Sequence, residues 1–222
     1  MTELLMRIYD RLLEAFGPMN WWPGETPFEV MVGAILTQNT AWKNVEKAIG
    51  RLKDRGSLSV EGVHHLRRSA LASLIRSSGY YQVKAERLKA FVNFLVEEYD
   101  GKLEKMRQEP LEEVREKLLT VKGVGPETAD SILLYGLRKP IFVVDAYTKR
   151  ILSRHGFASE DASYGEIQRL FMGCLPRDEK LFNEFHALLV HLGKALCKKT
   201  PKCDKCPIKN VRPKRQGVRR KA

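Results

Sequence analysis

Leu111-Glu-Glu-Val-Arg-Glu-Lys-Leu-Leu-Thr120, then Val121-Lys-Gly-Val-Gly125, then Pro126-Glu-Thr-Ala-Asp-Ser-Ile-Leu-Leu-Tyr135 decides the fold of this chain. Leu111, Val114, Leu118 and Leu119 recur at helical spacing in the first part. Gly123 and Gly125 bracket Val124 in what reads as a tight turn, because glycine bends without a Cβ clash. Pro126 suits the first position of a second helix. The result is a helix, a glycine hairpin and a helix. Amides of such a hairpin, together with the start of the second helix, point outward as an anion site. Downstream, Ile141-Phe-Val-Val ends in Asp145, and a further helix is expected from Ala146.

Gly123-Val-Gly125 combined with Val143-Val-Asp145 resembles the helix-hairpin-helix signature of the endonuclease III superfamily of DNA base-excision glycosylases, over roughly 28–206. The resemblance implies an all-α fold of two helical lobes, with DNA lying in the cleft between them. One lobe would be a six-helix bundle over 27–137, containing the hairpin at about 111–135. The second would combine 1–26 with 138–206 and carry a cysteine-rich loop. Residues 207–222 are mostly polar and basic and read as a flexible tail.

Composition agrees with a nucleic-acid partner. The 222 residues carry a formal net charge of +12. Cationic side chains that neutralise phosphates release counterions, so such a chain favours a polyanion. An apolar content of 43 % and a charged content of 30 % are ordinary for a folded protein. No run of 18 apolar residues is present, so no membrane span is expected. Met-Thr-Glu-Leu-Leu-Met-Arg7 lacks the basic-then-apolar pattern of a secretory signal, so a cytoplasmic place is expected, nucleoid-associated in a bacterium or archaeon. Helices are expected over 3–16, 27–36, 45–52, 66–75, 85–99, 111–120, 126–135, 146–155, 164–174 and 181–197. Ile141 to Val144 reads as an extended linker.

Breaking the bond between base and sugar builds positive charge on the sugar. A nearby carboxylate stabilises that charge and orients or deprotonates a water. The resemblance gives this role to Asp145; the ordinary alternative is an N-cap for the helix that follows, and both can hold. Family members that also cleave the strand place a lysine two residues after the second hairpin glycine, where its amine forms a Schiff base. Here that residue is Glu127, which cannot. A monofunctional glycosylase without lyase activity follows. Glu127 itself also suits the first turn of a helix.

Asn20-Trp21-Trp22-Pro23 and Leu36-Thr-Gln-Asn-Thr-Ala-Trp42, with Gly79-Tyr-Tyr81 and Lys84-Ala85, resemble the DNA-3-methyladenine glycosylase III family more narrowly. In that family Trp42 and a tryptophan of the Trp21-Trp22-Pro23 segment would sandwich the flipped base. An alkylated purine carries a formal positive charge and is drawn to an indole face. The alternative is that these tryptophans pack a core. Flipping leaves a hole in the duplex. The resemblance implies that Gln38 or Asn39 fills it, that Tyr80 wedges the opposite strand, and that Lys122, Gly123, Val124 and Gly125 hold a phosphate. Double-stranded DNA with damaged bases would be the partner, and a monomer is expected. A monovalent cation on hairpin carbonyls is implied by the resemblance alone.

The wider superfamily often holds a [4Fe–4S] cluster on four cysteines spaced six, two and five residues apart. Here Cys197, Cys203 and Cys206 leave a first gap of five, and Arg212 stands where a fourth cysteine is expected. Cys174 is the fourth cysteine of the chain, but it precedes the helix that leads to Cys197. Three readings stay open: a cluster with a non-cysteine or solvent ligand, another metal such as zinc, or a degenerate remnant. Three function readings also stay open. They are an alkylpurine glycosylase, a glycosylase for mismatched thymine or uracil or for adenine opposite oxidised guanine, and a noncatalytic lesion-binding protein.

Overall fold

The computed structural model describes residues 1–19, 21 and 24–213. Among them every regular element is helical. The chain runs through α1 (Thr2–Phe16), α2 (Pro27–Leu36), α3 (Trp42–Asp54), α4 (Val60–His65), α5 (Arg68–Leu74) and α6 (Tyr81–Tyr99). It continues through α7 (Leu103–Gln108), α8 (Leu111–Thr120), α9 (Pro126–Ser131), α10 (Ala146–Arg154), α11 (Tyr164–Cys174) and α12 (Glu179–Ala195). The chain divides into two compact units. One holds 1–21 and 142–222; the other holds 22–141 without interruption. The basic stretch beyond Pro213 lies outside the described residues, as do Trp22 and Pro23 of the expected base pocket.

The uninterrupted unit is built around α2. All nine residues from Phe28 to Leu36 are buried, so this helix is wrapped on every side rather than laid on a surface. Its start is fixed by Thr26, whose side chain accepts from the Glu29 amide at 3.2 Å, and by Pro27 in the first turn. Glu29 is buried but not isolated: Lys53 Nζ on α3 lies 3.0 Å from its carboxylate. After Ser131 the second hairpin helix widens into a π-helical turn, Ile132–Gly136, which packs on α2. A Cβ on Gly136 would lie 3.0 Å from Met31 Cγ, so the absent side chain sets that close approach.

In the other unit α12 is central. It packs against α10 and α1, and buries Phe182, Phe185, His186 and Leu189 among other side chains. Phe142 stacks on Phe171 at 3.7 Å between centroids and meets Phe182 and Phe185 edge-on. α11 opens with a capping box in which Ser163 and Glu166 satisfy each other's backbone amides. α12 is capped by Asp178.

Several expected bounds shift. The expected helix over 66–75 is shortened to α5, because Leu66 and Arg67 are extended (ψ 134° and 141°) and separate it from α4, which was not expected. α4 and α7 have six residues each, too few for a periodic pattern to register, and they add to the expected six-helix bundle. The stretch 126–135 is α-helical only to Ser131 before the π turn. The expected tail from 207 is not free at its start. Ile208 and Val211 are buried, so the chain stays packed where polar neighbours hide two apolar anchors from a compositional reading.

Candidate active site

Asp145 sits where buried extended chain becomes helix. Ile141 to Val144 are all buried, and this segment is pinned to α11: Phe142 N–H points at Met172 Sδ (3.3 Å), and Phe142 O accepts from Gln168 Nε2 at 2.8 Å. Asp145 is the N-cap of α10, its Oδ1 accepting from the Thr148 amide at 2.7 Å. The cap uses that oxygen and fixes the rotamer; 13 % of the side chain stays exposed, enough for a reactant to meet it. The N-cap alternative and the catalytic reading are therefore compatible in this geometry.

Across from it, His186 of α12 places Nε2 3.9 Å from Asp145 Oδ1. Burial holds the His186 imidazole below its usual range; the Lys194 charge pushes the same way, and Asp145 opposes. A neutral ring beside the carboxylate is the outcome. α10 and α12 can approach because Gly193 has no side chain: a Cβ there would lie 2.5 Å from Tyr147 Cδ1. Arg150 stacks over the Tyr147 ring at 5.0 Å and donates to Gly193 O and Cys197 O. Trp21 belongs to the same unit, half-buried, with Lys194 Nζ 5.4 Å from its ring centroid.

In the other unit the hairpin turns at Val121 O, which accepts from the Val124 amide at 3.0 Å. Gly123 needs its freedom, with φ 85° and a notional Cβ 2.4 Å from Arg87 Cγ. Gly125 differs from the expectation that both glycines serve the bend: at φ −95°, ψ 178° it is ordinary extended chain, and nothing lies near a notional Cβ. Val124 is buried, while Lys122, Gly123 and Gly125 are exposed. Lys122 Nζ lies 2.6 Å from Glu86 Oε1. Glu127 is exposed in the first turn of α9.

Gln38, one of the two side chains expected to fill the duplex, is hydrogen-bonded at the hairpin. Its Nε2 donates to Gly123 O at 3.0 Å and Thr128 Oγ1 at 2.9 Å, and its Oε1 accepts from Arg87 Nη1. The amide is committed to bracing the hairpin. Asn39, next to it, is exposed with φ 53°. Tyr80 is 75 % exposed with φ 45°. Both hold the left-handed conformation that non-glycine residues rarely adopt. Lys84 joins their two loops from inside: its Nζ donates to Leu36 O (2.8 Å), Thr40 Oγ1 (2.7 Å) and Ser78 O (2.6 Å). All three ammonium protons are used. Burial, with Arg87 adding repulsion, lowers the Lys84 pKa to about 8. Trp42, half-buried, begins α3 at the end of the first of these loops.

Cys197, Cys203 and Cys206 line one cavity of about 100 Å³, together with Arg154, His155 and Arg212. Arg154 Nη1 lies 3.4 Å from Cys197 Sγ. Burial raises the Cys206 thiol, and the neighbouring Cys197 and Cys203 sulfurs add to this. Among the described residues no three His, Cys, Asp or Glu side chains converge closely enough to hold a single metal ion. Cys174 is not among the residues lining the cavity.

Lys84, Arg87, His155 and His186 carry no signal of their roles in the sequence. Their partners lie on distant segments, as Leu36 does for Lys84 (48 positions) and Val211 for His155 (56 positions), and no local spacing announces them. Only Lys84-Ala85 carries a trace, as part of a resemblance.

An all-α chain with this hairpin and a capped aspartate after it has the features of a helix-hairpin-helix DNA glycosylase. Residues 32–177 match the HhH-GPD superfamily of base excision DNA repair proteins, and the chain belongs to that family. It is a DNA glycosylase of the base-excision class. A Methanocaldococcus jannaschii protein provisionally named a DNA repair glycosylase is 49 % identical over 209 residues, 93 % of this chain and 94 % of that protein. Endonuclease III of Thermotoga maritima is 33 % identical over 185 residues, 83 % of this chain and 81 % of its own length. Among solved structures, the 3-methyladenine DNA glycosylase MagIII of H. pylori, bound to 1,N6-ethenoadenine, superposes with a TM-score of 0.72 at 29 % identity, covering 87 % of this chain and 96 % of that one. An endonuclease III–DNA complex shares the fold, with a TM-score of 0.81 at 23 % identity over 95 % of this chain and 94 % of that one.

Proposed function

We infer that this glycosylase is monofunctional and releases alkylated purines such as 3-methyladenine by hydrolysis of the N-glycosidic bond. Asp145 stabilises the charge developing on the sugar and orients the attacking water. His186, held neutral by burial and 3.9 Å away, adds no positive charge of its own beside the carboxylate. Glu127 offers no amine, so no Schiff base forms at that position. Trp21, aided by Trp22 and Pro23, and Trp42 stack the base. Asn39 fills the gap it leaves, Tyr80 enters the opposite strand, and the exposed backbone from Lys122 to Gly125 holds a phosphate.

The observation that carries the alkylpurine reading is the Trp21 face, which already receives a cation, Lys194 Nζ at 5.4 Å. A face that attracts an ammonium attracts a cationic purine for the same reason. The likeness to MagIII over 96 % of that chain supports it.

The same reading extends to the cysteine cavity. At about 100 Å³ it exceeds several-fold the ~10–15 Å³ that a single water needs. A single zinc ion draws its ligands onto one point at about 2.3 Å and leaves no interior space. Thiols ringing a volume suit a [4Fe–4S] cluster, which Cys197, Cys203 and Cys206 would hold. When bound, such a group would tie together the loop that follows α12.

Base release from methylated double-stranded DNA, compared between wild type and Asp145→Asn, tests the function. Asparagine is as good an N-cap as aspartate, so the variant keeps its fold. Release of 3-methyladenine should fall about 10²- to 10³-fold, the usual loss when one transition-state electrostatic contribution is removed. No release by wild type, with activity on G·T mismatches, uracil or adenine opposite oxidised guanine, would replace the alkylpurine reading by the other glycosylase reading.

A further inference from the structure

Three cysteines leave a cluster one protein ligand short, and Arg212, at the expected fourth position, has no lone pair to give. The cavity they line has another wall. His155, which closes α10, is buried and lines the same cavity. Its Nδ1 lies 3.1 Å from Val211 O. A carbonyl oxygen only accepts, so Nδ1 carries the ring proton and Nε2 keeps the lone pair. Orientation of one imidazole nitrogen by a backbone carbonyl, with the other left bare, is how metal-binding histidines are commonly held. The residue that fixes the tautomer, Val211, immediately precedes Arg212. The segment that lacks the cysteine is therefore the one that prepares the histidine.

Charge agrees. Arg154, Lys202, Lys209 and Arg212 line the cavity with the three thiols, and Arg154 Nη1 points at Cys197 Sγ from 3.4 Å. Cationic walls of this kind suit a site whose ligands act as thiolates.

We propose that His155 Nε2 is the fourth protein ligand of an iron–sulfur cluster otherwise held by Cys197, Cys203 and Cys206. The proposal rests on the iron–sulfur reading of the cavity and is independent of the base released. A neutral imidazole in place of a thiolate makes the cluster less negative and raises its reduction potential, as imidazole ligation does in other iron–sulfur centres.

The test uses full-length protein purified anaerobically, with iron and sulfide counted. Pulsed EPR is recorded in whichever of the reduced or oxidised forms is paramagnetic, from cells grown on ordinary and on ¹⁵N-labelled histidine. The expected result is a strongly coupled nitrogen that changes with the label. His155→Cys should keep its iron, lose that coupling and show a lower reduction potential. An iron–sulfur signal without a coupled histidine nitrogen, or coupling that persists in His155→Cys, would overturn the ligand assignment while leaving the cluster in place. Wild type free of iron and sulfide would overturn the cluster and this ligand together, and would leave the glycosylase reading standing. Should His155→Cys not fold, the labelled wild type decides alone.

Discussion

In Asp145 the hydrogen bond that starts α10 also fixes the rotamer of the carboxylate that we propose acts on the sugar. The cap was legible, because an aspartate directly before a helical stretch is a local pattern. His186 was not, since it reaches Asp145 from another helix far along the chain. Its ring has consequences for acid stability. Its folded pKa is depressed, so the unfolded chain takes up the proton first as pH falls through the ordinary value of 6.5. Stability is therefore present above that value and drains away below it. His186→Gln should be less acid-sensitive than wild type between about pH 7 and pH 5, checked by urea melts at each pH. An identical pH slope in the two proteins would show that His186 does not titrate in this way. His155, also lowered by burial, is common to both proteins and leaves the comparison unaltered.

Elements were legible where local signals marked their ends. The bounds of α2, α8 and α11 were those expected, because each has a proline, cap or apolar rhythm of its own. The bracing of the hairpin by Gln38 and Arg87 was hidden, because it joins segments 49 to 90 residues apart. Two predictions belong at this scale. Borohydride added during turnover should trap no covalent enzyme–DNA adduct, since the hairpin helix presents Glu127 and no lysine there; a gel-shifted adduct in yield comparable to turnover would contradict this. Lys84→Met should destabilise the protein by about 2 kcal/mol, because it strips buried acceptors of their donor. The pH dependence has a definite sign. Lys84 is depressed to about 8 from 10.5, so across that interval the unfolded chain binds more protons and wild-type stability rises with pH. The gap between wild type and Lys84→Met should therefore widen from about pH 8 to pH 10, read from denaturant midpoints. A gap that does not change would mean that Lys84 titrates at its ordinary value.

For the molecule as a whole, the net charge of +12 was the most legible property and the least specific. Lys214, Arg215, Arg219, Arg220 and Lys221 supply five positive charges near the C-terminus. Truncation after Pro213 should flatten the dependence of log affinity on log salt, by about 0.9 for each phosphate no longer neutralised. Base release at saturating DNA should stay unchanged. Fluorescence titrations at several salt concentrations measure the slope, and an unaltered slope would mean that these charges do not meet phosphate. The division of the chain has a different consequence, one that concerns the order of assembly. α1 packs on α11 and α12, yet the 120 residues from 22 to 141 are made between them. During synthesis the uninterrupted unit has its whole sequence first and can condense on α2 while α1 still waits for its partner. Once condensed, it turns a long floppy loop into a compact one, which lowers the entropic cost of bringing α1 to α12. The half of the protein that carries Asp145 is thus the last to be completed, and its two pieces meet sooner because the other half has already folded.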